Sequence, residues 1–492
     1  GGGPAGSAAA TLLARRSHEV ALVEPSETPA GSLAQSVPPS ANKLLAEIGI
    51  LEAVQSAGFR PNYGNSVWWA GQPGRHEFFS EGLEGYHVER RNLEDVLVAA
   101  AEATGVRIYP GYSARSATED PEGWLITCEA TNGSSVGLRA SFVIDATRRR
   151  GVLARREGRE PDPSTTTLSV LAHWRKSGGW DPETAYNTLL ESYEDGWAWS
   201  VPLDAQTRCF SVVIDQRQSG AVGSSAEDIL AAELMKTAHI GPLLAGAVPA
   251  SKAWACPSSL YATRRYARRG LVIVGDAGSF IDPLSSFGVK KALSSGWLGG
   301  IVTHTSLVDP DMAETAVDFF DEREREVYRT YRRLSAAYFE EAAAAYDHPY
   351  WRSRAESARA AGGWREDATG DPDFIRQTEV PEAEVRAAFE AIRARQELGA
   401  VVSPDLRMFK GPAIEGHRIV LARHLATKAY PEGMRFTNNV DLCALVELVP
   451  AHSDVSELWA AYNGVSTPVS LPDFLTALAT TFAAGFVRHG TE

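Results

Sequence analysis

The chain of 492 residues is poor in the features that mark secreted, membrane-spanning or nucleic-acid-binding proteins. It has four cysteines, Cys128, Cys209, Cys256 and Cys443, scattered without C-x-x-C spacing. This excludes a disulfide framework and a thiolate metal cluster, and each reads as a small buried apolar residue. No apolar run reaches the roughly 18 residues that cross a bilayer, so no membrane span is expected. Basic charge is in deficit, 48 Lys and Arg against 62 Asp and Glu, for a net charge of −14 that disfavours nucleic acid as a partner. Histidines at ligand spacing are also lacking: His417 and His424 are seven apart, and His18, His87, His304 and His452 are isolated, so no metal is expected. There is no second glycine-rich dinucleotide loop, and neither an apolar strand nor a Met stands ahead of Gly1; the chain is expected to be trimmed there. The remaining composition, 44% hydrophobic and 22% charged, is that of a globular protein of two or three domains, expected in the reducing cytoplasm.

What is present starts at once. Gly1-Gly2-Gly3-Pro4-Ala5-Gly6 is a G-x-G-x-x-G loop that runs into Ser7 to Arg15, a stretch of strong helix formers. Glycine at Gly1, Gly3 and Gly6 permits a tight turn and close approach of backbone N–H groups to a pyrophosphate, and the helix N-terminus adds its positive dipole end. Glu19 to Glu24 then reads as a strand ending in an acid 18 residues beyond Gly6, where a carboxylate accepts adenosine ribose hydroxyls.

Helices are expected over 40–56 and 88–104, with a strand at Ser66-Val67-Trp68-Trp69 between them. Further strands are expected at Val106 to Tyr109, at Trp124 to Thr127, and at Ser141 to Thr147, which ends in Asp145-Ala146-Thr147. Residues 165–217 alternate like an antiparallel sheet, and Leu271 to Ala277 is an apolar strand closed by Gly275-Asp276. The pattern predicts an α/β nucleotide domain over 1–310, interrupted by a β-rich substrate domain at about 165–260. Long charged helices and a linker are expected over 311–380, with a Gly-, Asp- and Pro-rich boundary at 361–381. Over 381–492 a strand at Ile419 to Ala422 and helices at Val440 to Leu448, Val455 to Tyr462 and Leu471 to Leu478 look similar to a small winged helix. It lacks a basic recognition helix and reads as a protein-contact or dimerisation module.

Three of these segments together resemble the flavin motifs of the FAD monooxygenases of glutathione-reductase type: the glycine loop, Val143-Ile144-Asp145-Ala146-Thr147, and Gly275-Asp276-Ala277-Gly278-Ser279-Phe280-Ile281-Asp282-Pro283. Trp197-Ala198-Trp199-Ser200-Val201-Pro202 resembles the W-x-W-x-I-P motif of flavin-dependent halogenases, with Val201 where Ile is usual. The resemblance covers residues 1–350 or so and implies a Rossmann-like FAD-binding domain with an inserted antiparallel-sheet substrate domain. It implies FAD held by Gly1, Gly3, Gly6, Glu24, Arg90 and Asp276, with Pro283, Gly288 and Val289 along the isoalloxazine. It also implies Asn62, Trp197, Trp199, Pro283 and Ser286 beside the reacting oxygen. A carboxylate such as Asp276 accepts ribityl hydroxyls, and a helix start after Ser285-Ser286-Phe287 stabilises anionic flavin.

The chain departs from the halogenase pattern at three places. Members of that family resemble one another in a lysine, thought to hold hypohalous acid made from flavin hydroperoxide and halide, shortly before the strand matched by Val67-Trp68; the match puts Asn62 there, and an amide has no titratable amine. Gly-Glu-Ser before a Pro becomes Ala34-Gln35-Ser36-Val37-Pro38, and the Gly after Asp-Ala-Thr becomes Arg148-Arg149-Arg150-Gly151. The arginines suit a phosphate or acidic partner, or equally a solvated turn. Lys43 reads as a solvated helix residue, while Lys290-Lys291 fall on the helix after the flavin motif. The expected activity is therefore hydroxylation of an electron-rich aromatic or indole substrate, free or borne on a peptide, protein or carrier. The alternatives are an aromatic halogenase whose oxidant is relayed by another residue, and a non-catalytic flavin-bound protein that docks a partner. Reducing equivalents are expected from NAD(P)H, directly or through a separate flavin reductase.

Overall fold

The small-residue run after Gly3 forms α1 (Pro4–Ala14), with Pro4 in the first turn where its missing N–H leaves nothing unsatisfied. Pro4 to Leu13 are all buried, because alanine and glycine let neighbouring backbones come close. The computed structural model describes residues 1–25, 33–162, 166–217, 223–360 and 380–490. It divides into two units, Gly1–Asp371 and Pro372–Glu492.

In the first unit, Ala21–Glu24 pairs in parallel with Arg107–Pro110, and Val143–Asp145 pairs in parallel with Leu271–Ile273. The facing edges of these two sheets, α1 and part of the strands over 112–140 line an open cavity of about 850 Å³. Between these strands come α2 (Ala41–Ile48), closed by Gly49 at φ +86°, then α3 (Leu51–Ser56) and α4 (Arg90–Ala103).

The inserted sheet has eight strands. Thr167–Arg175, Thr207–Asp215, Gly196–Pro202 and Asn187–Tyr193 are antiparallel neighbours, as the alternation predicts. Gly64–Trp68 joins the same sheet through a parallel pairing with Asn187–Tyr193, a partnership across distant chain segments that local pattern does not encode. Both faces are buried. One packs Val170, Ala172, Leu189, Ala198 and Phe210 against Leu230 and Leu234 of α5 (Ala226–Leu234). The other carries Val67, Leu190, Trp197 and Val213. After α6 (Gly288–Val308), helices α7 (Ala313–Ala345) and α8 (Pro349–Ala360) cover that face with Phe339, Tyr350 and Trp351. Residues 313–360 thus pack within the first unit rather than standing apart.

The turn after Leu271–Ile273 hangs from α6. Gly275 N–H donates to Ser295 Oγ (2.8 Å), and Lys291 Nζ donates to Gly275 O (3.1 Å) and Ser279 O (2.5 Å). Gly275 has φ +59°, and a Cβ there would stand 2.8 Å from Ala5 Cβ, so glycine is required on two counts. Behind the turn, Glu324 of α7 is 2% exposed; burial pushes its carboxyl up to about 7 although Lys291 and the Ser295 hydroxyl favour the anion.

In the second unit, α9 (Glu382–Arg393) precedes a hairpin, Arg407–Glu415 with Arg418–Ala426, and then come α10 (Leu442–Leu448), α11 (Val455–Val465) and α12 (Leu471–Ala483). Each of the last three begins on a side-chain cap, Asp441, Asp454 and Ser470. The helix expected from Val440 begins two residues later, because Asp441 Oδ1 accepts from Cys443 N and Ala444 N while Val440-Asp441 pairs with Phe436-Thr437. Leu425, Leu445, Leu458, Phe474 and Phe486 form its core. The hairpin precedes the helical triplet, and Ala400–Val402 pairs with Val487–His489. Of the expected boundary at 361–381, residues 361–379 lie outside the described residues.

Trp351 is fully buried, edge-on to Trp69 at 5.5 Å, with Nε1 donating to Tyr193 O (3.0 Å). Trp351→Ala is expected to cost about 3–5 kcal/mol, read as a lowered urea midpoint for the first unit. The folded state holds the Glu324 proton more tightly than the ordinary carboxyl at 4.5 does. That proton-linked stability is full at low pH and declines as pH rises from about 4.5 to about 7. Melting profiles of parent and Glu324→Gln across that window are expected to differ by this decline, the variant being flatter.

Candidate active site

The glycine loop is a backbone cradle that side chains would fill. A Cβ on Gly6 would strike Gly1 O, and one on Gly1 would lie 2.8 Å from Ala146 O. Ser7 Oγ ties the loop by donating to Gly2 O (3.0 Å), and Glu24 Oε2 accepts the Gly2 N–H. From Glu24 a chain of alternating charge runs through Arg148 Nη2 (3.1 Å to Glu24 Oε1, 2.8 Å to Glu94 Oε2) to Arg90, whose Nε donates to Glu94 Oε1 (2.9 Å). Burial alone would lower the Arg90 guanidinium, but Glu94 and Asp276 outweigh it and hold it raised. The fold therefore gathers Gly1, Gly3, Gly6, Glu24, Arg90 and Asp276 from three distant segments. This donor set suits a dinucleotide: loop N–H groups for phosphate, carboxylates for sugar hydroxyls. Asp145 plays a different part. Its Oδ1 accepts from Thr147 N and Oγ1, and its Oδ2 from Leu153 N (2.7 Å) and Ala154 N (3.2 Å), which sets the turn beside the loop.

Beyond Asp276 the chain makes a second turn. Asp282 Oδ1 accepts from Leu284 N (3.0 Å), Pro283 opens a single helical turn, and Ser286 closes it at φ +56°. Burial pushes the Asp282 carboxyl up. Gly288 and Val289 then open α6, which has no side-chain cap at Phe287 and presents its positive dipole end.

Asn62 is 1% exposed, faces Gly85 across a strand pair, and accepts Gly64 N–H on Oδ1 (3.1 Å). Trp197 and Trp199 share one sheet face, as alternation requires. The structure does not bring Asn62 and Trp197 together: Gly64 is level with Asn187 and Trp197 with Ser192, five residues further along, or about 16 Å. Trp197 is 1% exposed and enclosed by Trp69, Phe339 and Trp351. Trp199, half-buried and level with Leu190 and Val67, packs toward Ala34 and Val201 and leaves Nε1 without a hydrogen-bond partner. Lys43 is exposed on α2, whereas Lys290 and Lys291 are buried.

Sequence reading missed Glu94, although Arg90 four residues earlier on one helix was a usable signal. It also missed Lys291, Ser295 and Glu324 as a support, and the His18–His304 contact (2.8 Å), which joins residues 286 apart. Among the described residues no His, Cys, Asp and Glu group forms a metal site, and no helix is long and apolar enough to cross a membrane.

Comparison with known proteins identifies the family and the fold. A model of NAD(P)-binding Rossmann-like domains matches residues 1–79, and the tryptophan halogenase model matches residues 80–362. The chain is 28% identical over 350 residues to tryptophan 2-halogenase of Chondromyces crocatus, covering 69% of this chain and 67% of that one. It spans about two thirds of the length of the curated relatives it matches. The crystal structure of the flavin-dependent halogenase CmlS shares the fold with a TM-score of 0.76 at 19% identity, over 99% of this chain and 94% of that chain. Peptidyl tryptophan dihydroxylase QhpG shares it with a TM-score of 0.67 at 22% identity, over 99% and 98%. Since the family match extends over more than half of its length and takes in the Trp motif and the Gly275–Pro283 turn, the chain belongs to the tryptophan halogenase family of FAD-dependent enzymes.

Proposed function

We propose that this member of the family is an FAD-dependent monooxygenase that hydroxylates an electron-rich aromatic ring, an indole above all, borne on a peptide, protein or carrier. Asn62 carries the reading. Where the family resemblance calls for an amine, the chain has a buried carboxamide engaged with Gly64 N–H, which neither titrates nor forms an N–Cl bond as an amine does. Lys291 does not replace it, since its ammonium is committed to Gly275 O and Ser279 O.

Reduced FAD supplies, with dioxygen, the electrophilic oxygen. The chain's residues do the rest. Gly1, Gly3, Gly6, Glu24, Arg90 and Asp276 bind and orient the dinucleotide. The uncapped N–H groups around Gly288 and Val289 receive negative charge. Trp199, Leu190 and Val67 keep water from the reacting face, and the Trp199 ring meets an aromatic substrate edge-on or offset. The similarity over both units to a protein whose name is peptidyl tryptophan dihydroxylase supports a peptide-borne substrate, with the second unit as its docking module. A separate flavin reductase supplies electrons, and the enzyme works in the cytoplasm, where its four free thiols stay reduced.

Halogenation is the second reading. It is favoured by the names of the curated relatives and by Lys290, a buried amine in the first turn of α6 that would relay the oxidant.

The two readings separate when FAD-loaded, anaerobically reduced enzyme meets isotopically heavy dioxygen, bromide or chloride, and tryptophan or a tryptophan-containing peptide. The expected outcome is a product heavier by labelled oxygen, with no hypohalous acid trapped. Halide-dependent turnover with trapped hypohalous acid sinks the hydroxylase reading.

A further inference from the structure

The Asp145-Ala146-Thr147 turn ends on Arg148 at φ +55°, in the left-handed region that favours glycine. A bulky side chain is held there against backbone preference, and its position suggests why. Arg148 Nη2 meets Glu24 Oε1 (3.1 Å) and Glu94 Oε2 (2.8 Å), with the side chain 25% exposed. Its Nε lies 3.6 Å from where a Cβ on Gly3 would stand, so the guanidinium sits beside the second glycine of the phosphate loop. Of the two arginines that follow, Arg150 lines the same cavity as Gly1, Gly6 and Arg148. Arg149 lies over the Phe280 ring at 4.1 Å and donates to Ser259 O (3.2 Å), while Arg150 is exposed.

Charge decides what this placement does. Arg90, Arg148, Glu24 and Glu94 together sum to zero, and Asp276 beside Arg90 adds one negative charge. Without Arg148, two carboxylates would face a dianionic pyrophosphate with only Arg90 to offset them. Glu24 is also occupied, by Gly2 N–H on one oxygen and Arg148 on the other.

We infer that Arg148 is a pyrophosphate ligand for FAD, parked on Glu24 and Glu94 until the dinucleotide arrives. Its planar guanidinium exchanges carboxylate oxygens for phosphate oxygens, for which it has the same fork geometry. The exchange frees Glu24 for the ribose hydroxyls. The inference concerns FAD capture only and is independent of whether the oxygen goes to carbon or to halide.

The test titrates apoprotein with FAD, followed by quenching of flavin fluorescence, at low and high salt. Arg148→Gly suits the left-handed backbone without strain, and Arg148→Asn tolerates it, so both keep the turn while removing the cation. Both are expected to bind FAD roughly tenfold or more weakly at low salt, with a flatter salt dependence than the parent. Arg148→Lys is expected to recover part of the affinity. Loss of the pairing with Glu24 and Glu94 is expected to lower the apo melting temperature of Arg148→Gly somewhat, so the salt dependence is the deciding readout. Affinity within about twofold of the parent at both salts for Arg148→Gly or Arg148→Asn overturns the inference. So does weakened binding that comes with a lowered apo melting temperature and an unchanged salt dependence, because it reports a disrupted turn rather than a lost ligand.

Discussion

Close backbone contact around α1 is the constraint on which the rest of the structure depends. Gly6 lies against Gly1 O, Gly275 against Ala5, and Gly296 of α6 against Ala5 O; at each point an added Cβ would collide. These contacts fasten the glycine loop, the Asp145–Thr147 turn and the Gly275–Pro283 turn into one body, although the chain separates them by well over a hundred residues. The tolerance is steric rather than energetic. Interiors are close-packed, and even one methyl group at such a crossing has nowhere to go.

Once those backbones are fixed, charge organises the space in front of them. Glu24, Arg148, Glu94 and Arg90 alternate in sign, and Asp276 lies close enough to help hold Arg90 charged. Alternation offsets the cost of desolvating each ion, which would otherwise be several kcal/mol. Behind the Gly275 turn a second buried set, Lys291, Ser295 and Glu324, works differently: Lys291 serves carbonyl oxygens, and Glu324 has its carboxyl pushed up by burial. The front network lies beside the glycine loop, and the rear one holds the turn that carries Asp276.

The inserted sheet shows where local pattern stops being informative. Alternation over 165–217 was enough to predict its antiparallel strands, and Trp197 and Trp199 necessarily share a face. It did not reveal that the two rings differ, one enclosed by Trp69, Phe339 and Trp351, the other half-buried with an unpartnered Nε1. Which ring is covered depends on α7 and α8, more than a hundred residues downstream. The same helices bury their apolar side, Phe339, Tyr350 and Trp351 among it, and even there keep the charged Glu324 and Arg354.

By itself the sequence determined the α/β class, the glycine loop and the α1 that follows it, the acid at Glu24 and the Gly275-Asp276 strand end, since each rests on residue type and short spacing. Tertiary structure alone decided the parallel join of Gly64–Trp68 to the substrate sheet, the enclosure of Trp197, the suspension of Gly275 from Lys291 and Ser295, and the turn of Arg148 toward Glu24 and Glu94 rather than into solvent. The physical reason is range. Backbone propensity and periodicity act over a few residues, whereas burial, ion pairing and steric exclusion are set by whatever segment the fold brings alongside.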